Sequence, residues 1–389
     1  MAKEENIHPD VKDHSLTYHP AARMAKEDNI DLLVLYCSDQ NIKGHLDKGF
    51  GVNVQWDIPL LEGYNYKFLK NNSWKPSIFT GFFGLLNFSI FRELKKEKGS
   101  FLVIHGWAHA TNILAVIAAK LYGLKLCLRS ENPLNQELLK SPLSLFFRRL
   151  FFKYFFFRLF DYFFYIGEQN KKLYVYYGVK DEKLVFTPYA VDNERLQGEY
   201  VKYKDIKMQL RQELGFPQNK IIILTSGKYI EKKQPLDLLK AYRLLDDDNA
   251  VLVFLGEGEL RKEMENYIRE NNLNNVFLTG FKNQTEVGKY FAAADIFVLT
   301  SGVGETWGLV VNEAMNFALP VVVNELVGCA KDLACYDNGF VFSTHNDLAE
   351  ILKKLMGNPA MIKRMGNASL EKIKDYSYNK TIENLLKIK

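Results

Sequence analysis

The stretch GETWGLVVNEAMNFALPVVV, residues 304–323, carries two glutamates, Glu305 and Glu313, with seven residues between them. The run before it, ADIFVLTS (294–301), is short and apolar and gives way to Ser301, Gly302 and Gly304, as a buried strand does where it ends in a loop. From about residue 307 to 317 the apolar residues recur at helical spacing, and 319–324 reads as a second buried strand. Glu305 therefore belongs to a strand-to-helix loop, and Glu313 lies about two turns into the helix. In a parallel α/β sheet such a junction binds ligands, because free backbone N–H groups and the positive end of the helix dipole face the crevice. One carboxylate at the mouth and a second further in suit a polyhydroxylated ligand that carries phosphate. The alternative is a pair of acids that only compensates the helix dipole. The glycines at 302, 304 and 308 and the strands on both sides favour a site.

The same alternation extends outward in both directions. Strands are predicted at 32–36, 101–105, 125–129, 162–166 and 184–187, then at 220–226, 250–256, 275–280, 295–300 and 319–324. Helical patterns between them imply βαβ units and mostly parallel sheets. With 389 residues the chain suits two α/β domains of roughly 180 residues each. The polar stretch 192–205 marks the change between them. We assign 1–198 to a first domain, 199–370 to a second, and 371–389 to a helix able to pack back onto the first. The N-terminus fits the pattern poorly: only SLTYH (15–19) precedes the first helical run at 20–27.

Composition narrows the class. A hydrophobic share of 47% with 25% charged residues is that of a globular enzyme. Cys37, Cys127, Cys329 and Cys335 show no metal-ligand spacing, which fits a reduced cytoplasm. The polar start has no apolar signal region, and no apolar run reaches membrane-spanning length. A net charge of +5 is too mild to suggest nucleic acid. The segment LFFRRLFFKYFFFRLF (145–160) is different: dense aromatic residues with four interspersed cations. As a helix it is apolar all round, which means either a connecting helix packed on its own domain or an interfacial helix on an anionic membrane.

The strand at 220–226 runs into GKYIEKKQP, where Gly227 permits a tight turn and Lys228 and Lys233 place ammonium groups before a helix start. Cations in a loop at a helix N-terminus form a pyrophosphate site, although lysine-rich loops are often only solvated. Asp246, Asp247 and Asp248 follow a helix and precede a strand, and so read as a solvated turn rather than a metal site.

These residues together resemble the family 4 glycosyltransferases of the GT-B fold, over about 220–342. The resemblance implies two Rossmann-like, doubly wound α/β domains with an interdomain cleft, and retaining transfer from a nucleoside-diphosphate sugar to a hydroxyl acceptor. It implies a catalytic or sugar-orienting role for Glu305 and ribose contacts for Glu313. Donor binding then falls to Gly227, Lys228, Lys233, Gly256, Gly280, Phe281, Gly304, Thr306, Gly308, Leu309, Val310 and Glu313. Lys228 stands where the family has arginine, which keeps the charge and loses the bidentate fork. No metal or other cofactor is implied.

In the first half the likeness is looser. His105, His109 and Arg129 are catalytic candidates at strand ends, with Arg129 where many members carry histidine. His19, Trp56, Asp57, Glu62, Trp107 and Glu131 are acceptor-side candidates. The expected partners are a nucleoside-diphosphate-sugar donor, a glycan or lipid-linked acceptor of surface polysaccharide, and an anionic membrane surface through 145–160. No nucleic acid is expected, and the location implied is cytoplasmic or peripheral on the inner membrane face. A non-catalytic nucleotide-sugar-binding scaffold and a sugar-nucleotide epimerase or phosphorylase are the alternatives.

Overall fold

Runs of apolar and β-branched residues, bounded by turn residues, pair into two wholly parallel sheets. The computed structural model describes residues 2–8, 18–40, 45–47, 49, 51–54, 57 and 60–388. By contact the chain divides into two units. The first comprises 1–45, 59–188 and 378–389; the second comprises 46–58 and 189–377. Set against the expected division at 198/199, the break falls ten residues earlier, and a short early segment belongs to the second unit.

The strands are β1 (Ala2–His8), β2 (Ile30–Tyr36), β3 (His45–Asp47), β4 (Val52–Val54), β5 (Asn65–Phe68), β6 (Phe101–His105), β7 (Lys125–Arg129), β8 (Tyr162–Tyr165) and β9 (Leu184–Phe186). The chain continues with β10 (Ile221–Ser226), β11 (Ala250–Leu255), β12 (Val276–Leu278), β13 (Ile296–Leu299), β14 (Val321–Asn324) and β15 (Gly339–Phe342), all in the second unit. The first sheet has the order β5-β2-β1-β6-β7-β8-β9 and the second β12-β11-β10-β13-β14-β15, with β3 and β4 paired separately. In both sheets the chain winds outward from the middle strand in one direction, returns and winds out in the other, which is the doubly wound pattern.

Burial follows from the sequence. Every residue of β11, β13 and β14 is buried, as strands covered by helices on both faces require. In the second unit Leu238, Leu239 and Tyr242 from one helix and Leu348 and Leu352 from another pack on Ile223, Leu252 and Phe254. In the first unit Ala115, Ala118 and Ala119 let helix Ala110–Tyr122 lie close on the sheet. Helix Tyr378–Leu385 places Ile382 and Leu385 in the cluster that holds Leu32, Val34 and Val103.

Two expectations are corrected. The strand that opens the first sheet is Ala2–His8, in register with β2 and β6, and not SLTYH. Residues 15–17 lie outside the described residues, and Tyr18 and His19 begin helix Tyr18–Met24. The aromatic segment is also not one uniform helix. Helix Pro142–Phe151 passes into a π-turn at Phe152–Phe156 and a 3-10 turn at Phe157–Leu159. That change of winding turns Phe152, Phe156, Phe157 and Phe160 into the core, while Phe146, Phe147, Phe151 and Phe155 remain exposed. Its Arg148 is anchored, with Lys140 and Tyr177, on the buried Glu137. Among the described residues no helix is long and apolar enough to cross a membrane.

Candidate active site

β10 and β13 are neighbours in the second sheet although β11 and β12 lie between them in the chain. Their connections leave in opposite directions, which opens a crevice outside their carboxyl ends. The loop 227–234 rises there from β10, and the loop 300–308 from β13. The two are tied together: the Gly302 N–H donates to the Lys232 carbonyl at 2.9 Å, and the Thr300 hydroxyl to the Lys233 carbonyl at 2.8 Å.

Inside this pair of loops Glu305 is 8% exposed. Lys233 bonds its Oε2 directly, and Lys232 stands 3.9 Å from the same oxygen. Burial alone would raise the Glu305 carboxyl, but Lys233 and then Lys232 hold it below the usual carboxylate range. One carboxylate thus gathers two ammonium groups, and the site keeps a net positive charge with Lys232 still partly open to solvent. Lys232 was not singled out in the sequence, because nothing in the run EKK says which lysine turns inward. Lys228 lies in the same loop but pairs with Asp47 at 3.1 Å, a contact across 181 positions that no local pattern announces.

The glycines form the floor. Gly227, Gly256 and Gly280 meet at the ends of β10, β11 and β12, with the Gly256 N–H donating to the Gly280 carbonyl at 3.1 Å. A Cβ on Gly256 would lie 2.0 Å from the Gly227 carbonyl oxygen, so no side chain fits. Phe281 follows directly, half-buried. On the other side Gly304 borders Lys232 and Thr306 is half-buried. Gly308 precedes helix Leu309–Asn316 with φ 91°, and a Cβ there would approach Leu299 Cδ2 to 2.7 Å. The helix starts with half-buried Leu309 and Val310, whose N–H groups have no acceptor within the helix. Its seating is fixed by Trp307, which donates to the Asn312 side chain at 2.9 Å; Asn312 in turn donates to the Tyr189 carbonyl at 2.9 Å.

Glu313 is placed differently from Glu305. It is 6% exposed, and among the described residues no hydrogen bond or ion pair reaches its carboxyl. Its charged neighbours are Arg195 and Glu199 of helix Asn193–Tyr203, not the lysines. Burial pushes it up to about 7, with Arg195 opposing and Glu199 adding to the shift. Arg195 is itself engaged, by Glu199 at 2.6 Å and by Gln284 at 3.2 Å. Neither Arg195 nor Glu199 was anticipated, since both lie in what reads as a polar linker.

The first-unit candidates do not form a comparable cluster. His105 ends β6, and the next N–H, of Gly106, donates to the Arg129 carbonyl at 2.7 Å, so the two strand ends are adjacent. His109 caps helix Ala110–Tyr122, buried, with Nδ1 3.2 Å from the Gly81 carbonyl and its N–H donating to Asn112. Trp107 stacks among Phe152, Phe156 and Phe157, with ring centres 5.0–6.1 Å away, and so serves packing. Glu131 is half-buried and Glu62 exposed. Asp57 belongs to the second unit, where it accepts from the Thr285 hydroxyl at 2.5 Å. Trp56 lies outside the described residues, and His19 sits in the first turn of its helix. Asp247 accepts from the Asn249 N–H at 2.8 Å, a turn as expected.

Residues 207–372 match the family described as glycosyl transferases group 1. An uncharacterised glycosyltransferase of Methanocaldococcus jannaschii is 27% identical over 42% of the chain and 46% of its own length. An alpha-1,4-N-acetyl-D-galactosaminyltransferase of Campylobacter jejuni, named for a PP-undecaprenol-linked substrate, is 25% identical over 77% of each chain. The first relatives are matched over less than half of their own length. The Anabaena protein HepE, solved with UDP and glucose, superposes with a TM-score of 0.71 at 16% identity, over 99% of this chain and 98% of that one. The chain therefore has the GT-B fold, and residues 207–372 of its second unit are similar to the group 1 glycosyltransferases.

Proposed function

We propose that the protein is a retaining glycosyltransferase that moves a sugar from a nucleoside diphosphate to the hydroxyl of a lipid-linked or membrane-adjacent glycan. The observation that carries this reading is the convergence of Lys232 and Lys233 on buried Glu305 at the switch point of the second sheet. The leaving diphosphate gathers negative charge as the glycosidic bond breaks. The two ammonium groups and the N–H groups after Gly308 meet that charge without solvent having to reorganise. Glu305, held ionised by the lysines, orients the donor-sugar hydroxyls. Among the described residues Glu313 lacks a partner, and ribose hydroxyls would supply one. No covalent nucleophile, metal or cofactor is assigned; the leaving phosphate takes the acceptor proton on the same face of the sugar, which gives retention.

The membrane part of the proposal rests on the first unit. Leu143, Phe146, Phe147, Phe151, Tyr154 and Phe155 are exposed on one short segment, with Arg149, Lys153 and Arg158 among them. Aromatic rings in the company of cations suit an anionic leaflet. The C. jejuni relative, with its PP-undecaprenol-linked substrate, is in keeping with such an acceptor.

The test is an assay of nucleoside-diphosphate release and product formation with a panel of donors and polyprenyl-linked acceptors. Wild type should form a product with retained configuration, and Glu305→Gln should lose about 10²–10³-fold in rate while melting cooperatively. Donor binding without product in any combination would favour a scaffold role, and an epimerised donor or free sugar phosphate would favour the other enzymes.

A further inference from the structure

A second cationic cavity lies in the second unit, at the opposite edge of the sheet from the loops just described. It has a volume of about 450 Å³. It opens where β10, β13 and β14 begin, lined by Ile221, Asp295 and Leu319, whereas Lys233 and Glu305 lie beyond the strands' carboxyl ends.

Five cations line it: Lys204, Lys207, Arg211, Lys220 and Lys363. Asp295 is the one acid lining it among the described residues. Asp295 is already committed, accepting from Lys207 at 2.7 Å and from Arg211 at 2.5 Å. Arg211 is 5% exposed and donates three further N–H groups to the carbonyls of Ala293, Gln218 and Lys220. These two cations are structural. Lys204, Lys220 and Lys363 are not: no ion pair or hydrogen bond to their ammonium groups is found among the described residues. Three uncompensated charges therefore face one concavity. Burial and the neighbouring Arg211 depress Lys207 against the pull of Asp295, the mark of a partly dry pocket with too much positive charge.

The opposite wall is apolar. The Tyr200 and Phe317 rings meet edge to face with centres 6.3 Å apart, and Pro359 and Ile362 continue the surface. Asn219 and Asn367 add amide groups. Such a pocket selects a small anion with a flat or apolar body, and a phosphate ester provides both parts. A phosphate dianion accepts from several ammonium groups at once, and a ring or acyl chain covers the aromatic wall.

We infer that this cavity is a binding site for an organic phosphate, separate from the donor site and using Lys204, Lys220 and Lys363. A soluble metabolite and a phospholipid headgroup share that chemistry. The experiment is calorimetric titration of the full chain with phenyl phosphate and, separately, with dihexanoyl phosphatidic acid below its micellar concentration. Three proteins are compared: wild type, Lys233→Met, and the triple variant Lys204→Ser, Lys220→Ser, Lys363→Ser. Saturable binding that survives in Lys233→Met and weakens at least about tenfold in the triple variant supports the site. Among the described residues the three ammonium groups bond to nothing, and serine keeps the backbone carbonyl that Arg211 uses at 220, so the triple variant should keep the wild-type melting temperature. Tighter binding of phosphatidic acid identifies a lipid headgroup, and tighter binding of phenyl phosphate a soluble ester. Absence of saturable binding up to about 10 mM overturns the inference, as does equal affinity in the triple variant. Loss in Lys233→Met alone would also overturn it, since the phosphate would then be occupying the donor site.

Discussion

Glu313 offers the sharpest quantitative test, because its burial without a partner makes folding depend on pH. Its carboxyl titrates near 7 in the folded protein against an ordinary 4.5. A raised acid pKa means that the folded state holds the proton more tightly than the unfolded one. The stabilisation is full below pH 4.5, declines between 4.5 and 7, and is gone above 7. The shift of about 2.5 units corresponds to about 3 kcal/mol at 1.36 kcal/mol per unit. About 1 kcal/mol of this is lost by pH 5 and nearly all by pH 8. Glu313→Gln removes the titration and keeps the shape. Relative to wild type the variant should therefore gain about 2–2.5 kcal/mol on going from pH 5 to pH 8. Urea denaturation at the two values measures this, and any pH-independent effect of the amide cancels in the difference. If wild type and variant change in parallel between pH 5 and 8, Glu313 is not a desolvated, unpartnered acid, and its assignment to an incoming ribose loses its basis.

Other outcomes follow from the same contacts. Lys233→Met leaves the buried Glu305 without its directly bonded ammonium and with Lys232 3.9 Å away, and should cost about 3–5 kcal/mol in urea denaturation together with most nucleotide affinity. Gly308→Ala combines φ 91° with a contact of 2.7 Å to Leu299, and should destabilise by about 2–4 kcal/mol and weaken diphosphate binding. Replacing Phe146, Phe147 and Phe155 together by serine removes three exposed rings. At about 1 kcal/mol each, flotation on anionic vesicles should fall roughly 100-fold with stability unchanged.

The second sheet is legible in the sequence because its central strands are buried on both faces, so runs such as IIILTS and AVLVFL carry the signal without alternation. Strand AKEENIH is not legible: its four polar or charged residues in the middle hide a strand that only its pairing with β2 and β6 identifies. β5 and β15 are not legible either: both are short edge strands that stay partly exposed, so neither shows the continuous buried run of the central strands. In the site, Lys233 and Glu305 could be expected together, since both loops leave adjacent strand ends on one edge. Lys232, Asp47, Arg195 and Glu199 could not, because their positions depend on contacts made across the fold rather than on spacing. The aromatic segment was left between two readings, core and interface. The structure buries some of its rings in the core and leaves others exposed, with a change of helical winding at Phe152 dividing the buried rings from most of the exposed ones.

The central claim is that the crevice at β10 and β13 holds an activated sugar by its diphosphate. A thermal-shift screen of wild type and Lys233→Met against nucleoside diphosphates and their sugar conjugates tests it most directly. At 100 times its dissociation constant a ligand of the native state adds about 2.7 kcal/mol, enough to raise the melting temperature by several degrees. At least one compound should do so in wild type and lose the effect in Lys233→Met; a wild-type protein unmoved by every member of the panel would contradict the account.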